Sequence, residues 1–217
     1  MGVLERMQQA VIDGNLETVK AEVKQALAEG LPAEQILNQG MISAMAEVGR
    51  RFQANEFFVP EMLVAARAMK GGLELLRPRL AEAKVKATGK VVIGTVKGDL
   101  HDIGKNLVSM MLEGAGFEVV DAGIDVAPDE FVEAVKEHKP DLVGFSALLT
   151  TTMPMIKSNI EALRAAGLRD RVIVMIGGAP ITSAFAKEVG ADFYAPDASS
   201  AATAAKQAMI SRPRTGA

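Results

Sequence analysis

The chain has 217 residues, a formal net charge of −3, two histidines and no cysteine, and nearly half of it is hydrophobic. That is enough for one large or two small buried cores. The missing cysteine excludes disulfides, thiolate metal sites and cysteine nucleophiles, and the absence of a basic run argues against nucleic acid as a partner. The opening Met1-Gly2-Val3-Leu4-Glu5-Arg6 lacks the long apolar core of a signal peptide, and no apolar run is long enough to span a bilayer. A soluble cytoplasmic protein with no membrane partner is the expectation. Twelve methionines beside a single tyrosine suggest adaptable packing, most of it ordinary core.

Residues 1–78 carry helical periods and no convincing strand. A short helix from about Val3 to Ile12 stops at Asp13-Gly14, and Asn15 is placed to cap the next. That second helix puts Leu16, Val19, Val23 and Leu27 on one face and ends at Gly30. Pro32 suits the first turn of a third, with Ile36, Leu37, Met41, Met45, Val48 and Phe52 as its apolar face. A fourth begins near Pro60, with Met62, Ala66, Met69, Leu73 and Leu76 three and four apart. Gly71-Gly72 weakens this helix or lets something pack closely on it. Four amphipathic segments with short turns predict an antiparallel four-helix bundle.

Arg77 to Lys90 is charged and holds the breakers Pro78 and Gly89, so it reads as a linker, and the predicted domains are 1–87 and 88–217. Beyond it, strands near 91–95, 117–122, 142–147, 172–176 and 192–195 alternate with helices near 102–114, 128–138, 153–166, 181–189 and 198–210. Strict alternation predicts an α/β domain with a parallel sheet covered on both faces. Five units fit the doubly wound, flavodoxin-like (Rossmann-like) order. The tail from Ser211 to Ala217 is expected to be disordered.

The first strand-to-helix crossing of that sheet is Gly98-Asp99-Leu100-His101-Asp102-Ile103-Gly104-Lys105-Asn106. Open α/β sheets put ligand sites at such crossings. The helix after it would turn Ile103, Leu107, Val108, Met111 and Leu112 to the core. A P-loop is excluded, because five residues separate Gly98 from Gly104 and Asn106 follows the lysine. The Gly-x-Gly-x-x-Gly dinucleotide fingerprint is absent as well. What remains is a histidine flanked by the acids Asp99 and Asp102. A carboxylate on one ring nitrogen fixes the tautomer and basicity of the other. One histidine cannot hold a bare ion, but it can be an axial ligand to a metal already caged in a macrocycle. The bland alternative is a solvated loop.

Asp99-x-His101-x-x-Gly104, followed by Ser146-Ala147-Leu148 after the third strand and Gly177-Gly178 after the fourth, resembles the cobalamin-binding domain. The similarity covers nearly the whole chain. It extends to the small corrinoid proteins of methylamine, methanol and O-demethylase methyltransferase systems and to the cobalamin-binding region of methionine synthase. The resemblance implies a cobalamin or related corrinoid, with His101 as axial ligand to cobalt in place of the cofactor's own base. That base would lie in a slot lined by Ser146 and Leu148, with Gly177 and Gly178 leaving room for it. It also implies a chain of Asp99, His101 and a hydroxyl at Thr152, with Thr150 as a further cofactor contact. Gly98, Leu100, Asp102 and Gly104 complete the predicted cofactor-binding loop. Thr150-Thr151-Thr152-Met153-Pro154 reads equally as a helix start capped by Thr152.

The same resemblance implies a carrier role, with methylcobalamin as one state of the cofactor. A substrate-specific methyltransferase would load the cobalt and a second one would unload it towards tetrahydrofolate or a similar acceptor, with a reductive activation protein as a further partner. The chain would not be catalytic alone. The helical bundle would cap the upper face of the corrin, with Phe52 and the Phe57-Phe58-Val59-Pro60 run as candidate contacts. The alternatives are a cobalamin-dependent sensor without methyl transfer, a mutase cobalamin domain, and a flavodoxin or receiver domain. A receiver needs an Asp at the end of the third strand, where this chain has Phe145-Ser146-Ala147-Leu148.

Overall fold

A computed structural model describes residues 1–211. It divides into two compact units. One is Met1–Ala87 together with Glu113–Gly116; the other is Thr88–Leu112 with the described residues from Phe117 onward.

In the first unit, α1 (Val3–Ile12) and α2 (Leu16–Ala28) are joined by a tight turn. Asn15 caps α2 as its position predicts, its side chain accepting the Thr18 N–H at 3.1 Å. Arg6 ties the two helices together through paired 2.8 Å bonds to Glu22. A continuous helical stretch follows: α3 (Ala33–Gln35), a π-helical segment (Ile36–Ile42) and α4 (Ser43–Gln53). The wider π turns rotate the side chains away from a regular 3.6-residue register. Ile36, Met41, Ala44, Met45 and Val48 are buried, while the expected core residues Leu37 and Phe52 are only partly so.

Helix α5 (Val59–Glu82) departs most from expectation. The predicted linker from Arg77 is helical as far as Glu82, running straight through Pro78. Proline gives up one N–H bond, but Leu76, Arg79, Leu80, Ala81 and Glu82 around it are good helix formers and carry the helix onward. Of the two roles open to Gly71-Gly72, close packing is the one realised. A Cβ at Gly71 would collide with the Leu16 side chain, and one at Gly72 would lie 2.7 Å from Val19. The missing side chains let α5 approach α2.

In the second unit β1 (Lys90–Val96), α6 (Ile103–Gly114), β2 (Glu118–Val126), α7 (Pro128–His138), β3 (Leu142–Ser146), α8 (Met153–Ala165), β4 (Ile173–Gly177), α9 (Ser183–Val189), β5 (Phe193–Tyr194) and α10 (Ala198–Ser211) alternate. The strands form one parallel sheet of order β2-β1-β3-β4-β5. This is the doubly wound, flavodoxin-like order the alternation predicts. The β1-to-β2 crossover runs opposite to the others, so right-handed connections put α6 on the face away from α7, α8 and α9. Val92, Val143, Phe145, Val174 and Ile176 face Phe131, Ile156, Ile160 and Leu163 in the core beneath those three helices. Phe131 stacks edge-on against Phe145, 4.8 Å between ring centres.

Some boundaries move. β2 runs on to Val126 instead of 122, through register shifts against β1 and positive φ at Gly123 and Asp125. β5 shrinks to Phe193–Tyr194, and α9 starts at Ser183. Ile103, expected on the buried face of α6, is 73% exposed, because it begins the helix at the sheet edge, above the core. Of the tail expected to be disordered, Ser211 closes α10, and 212–217 lie outside the described residues.

Candidate functional site

Because β1 lies between β2 and β3, the β1–α6 loop, the end of β2 and the β3–α8 loop meet at the carboxyl edge of the sheet, the switch point of a doubly wound fold. Asp99, with no exposed surface, is the centre of this edge. Its Oδ1 lies 2.7 Å from His101 Nδ1 and accepts the His101 N–H at 3.1 Å. Its Oδ2 accepts the Thr152 hydroxyl at 2.7 Å and the N–H groups of Leu148 at 2.7 Å and Leu149 at 3.3 Å. Burial works to raise the Asp99 carboxyl. The bonds from Thr152, Leu148 and His101 together outweigh it and hold the group well below the usual carboxylate range.

An ionised Asp99 only accepts, so His101 Nδ1 carries a proton, and in the neutral ring Nε2 keeps its lone pair. The His101 side chain is about half exposed. The loop backbone is held too: the His101 carbonyl accepts the buried Thr95 hydroxyl at 2.9 Å. Exposed apolar side chains come from the same loops, namely Leu100, Ile103, Ile124, Leu148 and Leu149.

The remaining predicted residues fall around this centre. Gly98 has φ 81°, the left-handed region that favours glycine, and donates its N–H to Asp125 at 2.7 Å. Asp102 is exposed and accepts from the Asn106 side chain at 3.1 Å. Gly104, in the first turn of α6, has open space where a Cβ would stand. Ser146 ends β3 beside Thr95 and Gly177, and Thr150 is exposed in the β3–α8 loop. Gly177 accepts the Ala147 N–H at 3.1 Å. At Gly178, φ is 132° and a Cβ would collide with the Ala147 carbonyl oxygen, so the chain's own backbone requires glycine there. One reading is corrected. Thr152 is the N-cap residue of α8 but makes no side-chain cap: its backbone is already helical, and its hydroxyl, turned to the Asp99 carboxylate, accepts no backbone N–H.

Sequence reasoning missed Thr95, Asp125 and Lys105. Lys105 is buried on α6, bonded to Asn106 at 2.7 Å and paired with Asp121. Asp125 pairs with Lys97 at 3.1 Å as well as holding Gly98. Thr95 and Asp125 lie in stretches whose local pattern is that of an ordinary strand, and Lys105, inside the marked loop stretch, carried only the signal of the excluded P-loop.

Two families described as B12 binding domain match, one over residues 89–205 and one over residues 3–77. The chain belongs to the B12-binding corrinoid proteins. It is 45% identical over 209 residues to dimethylamine corrinoid protein 3 of Methanosarcina acetivorans, covering 96% of this chain and 98% of that one. A solved cobalamin-binding protein from Desulfitobacterium hafniense superposes with TM-score 0.80 at 32% identity, covering 94% of this chain and 97% of that one. The methanol:cobalamin methyltransferase complex MtaBC from Methanosarcina barkeri gives TM-score 0.87 at 28% identity, covering 97% of this chain and 80% of that one.

The residues fit the corrinoid such a family binds. Among the described residues no cluster of three or more His, Asp or Glu could hold a bare ion. A single imidazole with its Nδ1 engaged, amid exposed leucine and isoleucine side chains, suits a metal that brings its own planar ligand. Among the described residues no helix is long and apolar enough to cross a membrane.

Proposed function

We propose that this protein is a corrinoid carrier in a methyltransferase system, in which His101 would ligate the cobalt. The observation that carries the reading is the buried Asp99 carboxylate, which accepts a hydrogen bond from His101 Nδ1 at 2.7 Å and leaves Nε2 for the metal. When bound, the corrinoid supplies a cobalt centre able to accept and hand on a methyl group. The chain's own residues supply binding and tuning. Asp99 fixes the tautomer, and Thr152 and the Leu148 N–H hold Asp99 charged. Leu100, Ile103 and Leu148 offer apolar contact to the ring system, and Ser146, Thr150, Gly177 and Gly178 border the place for its nucleotide tail.

Methyl donors need activation that these residues do not offer, so a separate methyltransferase loads the carrier. The relatives' names point to a methylated amine as the donor class. A second methyltransferase passes the methyl on to tetrahydrofolate or a similar acceptor, and a reductive activation protein restores cobalt after oxidation. The helical unit, 1–87, and the corrinoid-binding unit, 88–217, act as separate domains in this scheme.

The test is electron spin resonance of the full-length protein reconstituted with cobalamin and reduced to cobalt(II). Nitrogen hyperfine splitting that disappears in His101→Ala is expected. A spectrum unchanged by that substitution would refute the assignment. Corrinoid binding without methylation by any methyltransferase would make the protein a sensor.

A further inference from the structure

The His101 loop is held by two side chains that never touch the imidazole. Thr95, fully buried on β1, donates its hydroxyl proton to the His101 carbonyl at 2.9 Å. Asp125, near the end of β2 with φ 56°, accepts the Gly98 N–H at 2.7 Å and donates its own N–H to the Asp99 carbonyl at 3.1 Å. The loop between β1 and α6, residues 97–102, is thereby bonded at Gly98, Asp99 and His101 to the two strands beside it. The φ of Asp125 is a conformation that few side chains tolerate, and Asp and Asn are among those that do.

We infer that Thr95 and Asp125 are positioning residues for His101: they set the backbone of residues 98–101 before the corrinoid arrives. The inference rests on the proposed role of His101 as ligand. Ordering a loop residue costs conformational entropy, and a loop ordered during folding does not incur that cost again on binding. The Asp99 carboxylate, tied to the β3–α8 loop, holds the His101 ring and N–H from one side. Asp125 adds an anchor from β2 at Gly98 and at the Asp99 carbonyl, and Thr95 adds one from β1 at the carbonyl of the ligand residue itself.

Pairs of variants separate positioning from simple support of the fold. Thr95→Val keeps the shape and removes the donor, whereas Thr95→Ser keeps the hydroxyl. Asp125→Ala removes the acceptor, whereas Asp125→Asn keeps an oxygen and tolerates positive φ. The full-length chain is titrated with cob(II)alamin, reading its dissociation constant and the share of the cobalt(II) signal that carries nitrogen hyperfine splitting. Thr95→Val and Asp125→Ala should each weaken binding roughly tenfold and lower the hyperfine share, with the Ser and Asn variants restoring both. In a His101→Ala background the same substitutions should weaken binding no further, because they act through the ligand. Equal losses in both backgrounds, or a wild-type hyperfine share in Thr95→Val and Asp125→Ala, would overturn the inference while leaving His101 as ligand. If Thr95→Val does not fold, the partly exposed Asp125 pair decides by itself. Splitting that survives His101→Ala would overturn the ligand assignment and this inference with it.

Discussion

Asp99→Asn is nearly isosteric, and the geometry gives its consequences in detail. Five donors point at the carboxylate: two from His101, and one each from Thr152, Leu148 and Leu149. An amide has one acceptor oxygen and one NH2 group, so either orientation sets donor against donor. With NH2 in place of Oδ2, the Leu148 and Leu149 N–H groups lose their acceptor, while the Thr152 hydroxyl can still donate to the Leu149 carbonyl at 2.9 Å. With NH2 in place of Oδ1, the His101 N–H is orphaned, and the ring can accept only by moving its proton to Nε2, the atom a metal would need. Bonds to a charged group contribute about 1.5–3 kcal/mol each, so after relief of the buried charge a net loss of about 3 kcal/mol is expected. For a chain of this size that lowers the melting temperature of the cofactor-free protein by roughly 6–12 °C at pH 7.

The pH dependence has a definite sign. The folded-state carboxyl of Asp99 lies below its ordinary value of 3.8. Its contribution is therefore fully present above the ordinary value and is lost as pH falls towards the folded one. The gap in melting temperature between wild type and Asp99→Asn should be constant from neutral pH to about pH 5 and narrow below about pH 4. Calorimetry or circular dichroism across that series reads it directly. Equal stability at pH 7, or a gap that persists unchanged in acid, would show that the five-donor arrangement does not stabilise the ionised form.

Two further outcomes follow from packing. Gly178→Ala forces a Cβ into the Ala147 carbonyl at φ 132°, and a loss of about 3 kcal/mol or more should appear in denaturant melts. Gly104→Ala meets open space at the start of α6, so it should leave stability unchanged or raise it by about 0.5–1 kcal/mol, and any defect it shows in corrinoid titration is then a cofactor effect. Asn159 on α8 is fully buried, and neither of its amide atoms has a partner among the described residues. Asn159→Leu should therefore raise the melting temperature by roughly 2–4 °C, and a lower one would mean that the amide is satisfied by water.

Much of this architecture was legible in the sequence, because the signals are local. Hydrophobic period and glycine or proline punctuation placed the strands and most helices, and strict alternation implied the parallel sheet. Asp99 and His101 stand two residues apart, so their pairing could be read from the loop alone. Thr152 was reached through resemblance, 53 residues away from Asp99 along the chain. Local pattern misled where the chain has two options of similar energy. Pro78 reads as a breaker, yet α5 continues through it. Thr152 reads as a helix cap, yet its hydroxyl turns to a buried carboxylate and accepts no backbone N–H.

Tertiary structure alone decided the rest. The Leu148 and Leu149 N–H groups that hold Asp99 charged are backbone atoms, which no residue type announces. Thr95 looks like any strand threonine, and Asp125 like any acid near a strand end. They became part of the site because the sheet order puts β1 between β2 and β3 and so brings three loops to one edge. A hydrogen bond depends on distance and angle in space, and spacing along the chain carries that information only when both partners share one turn or loop.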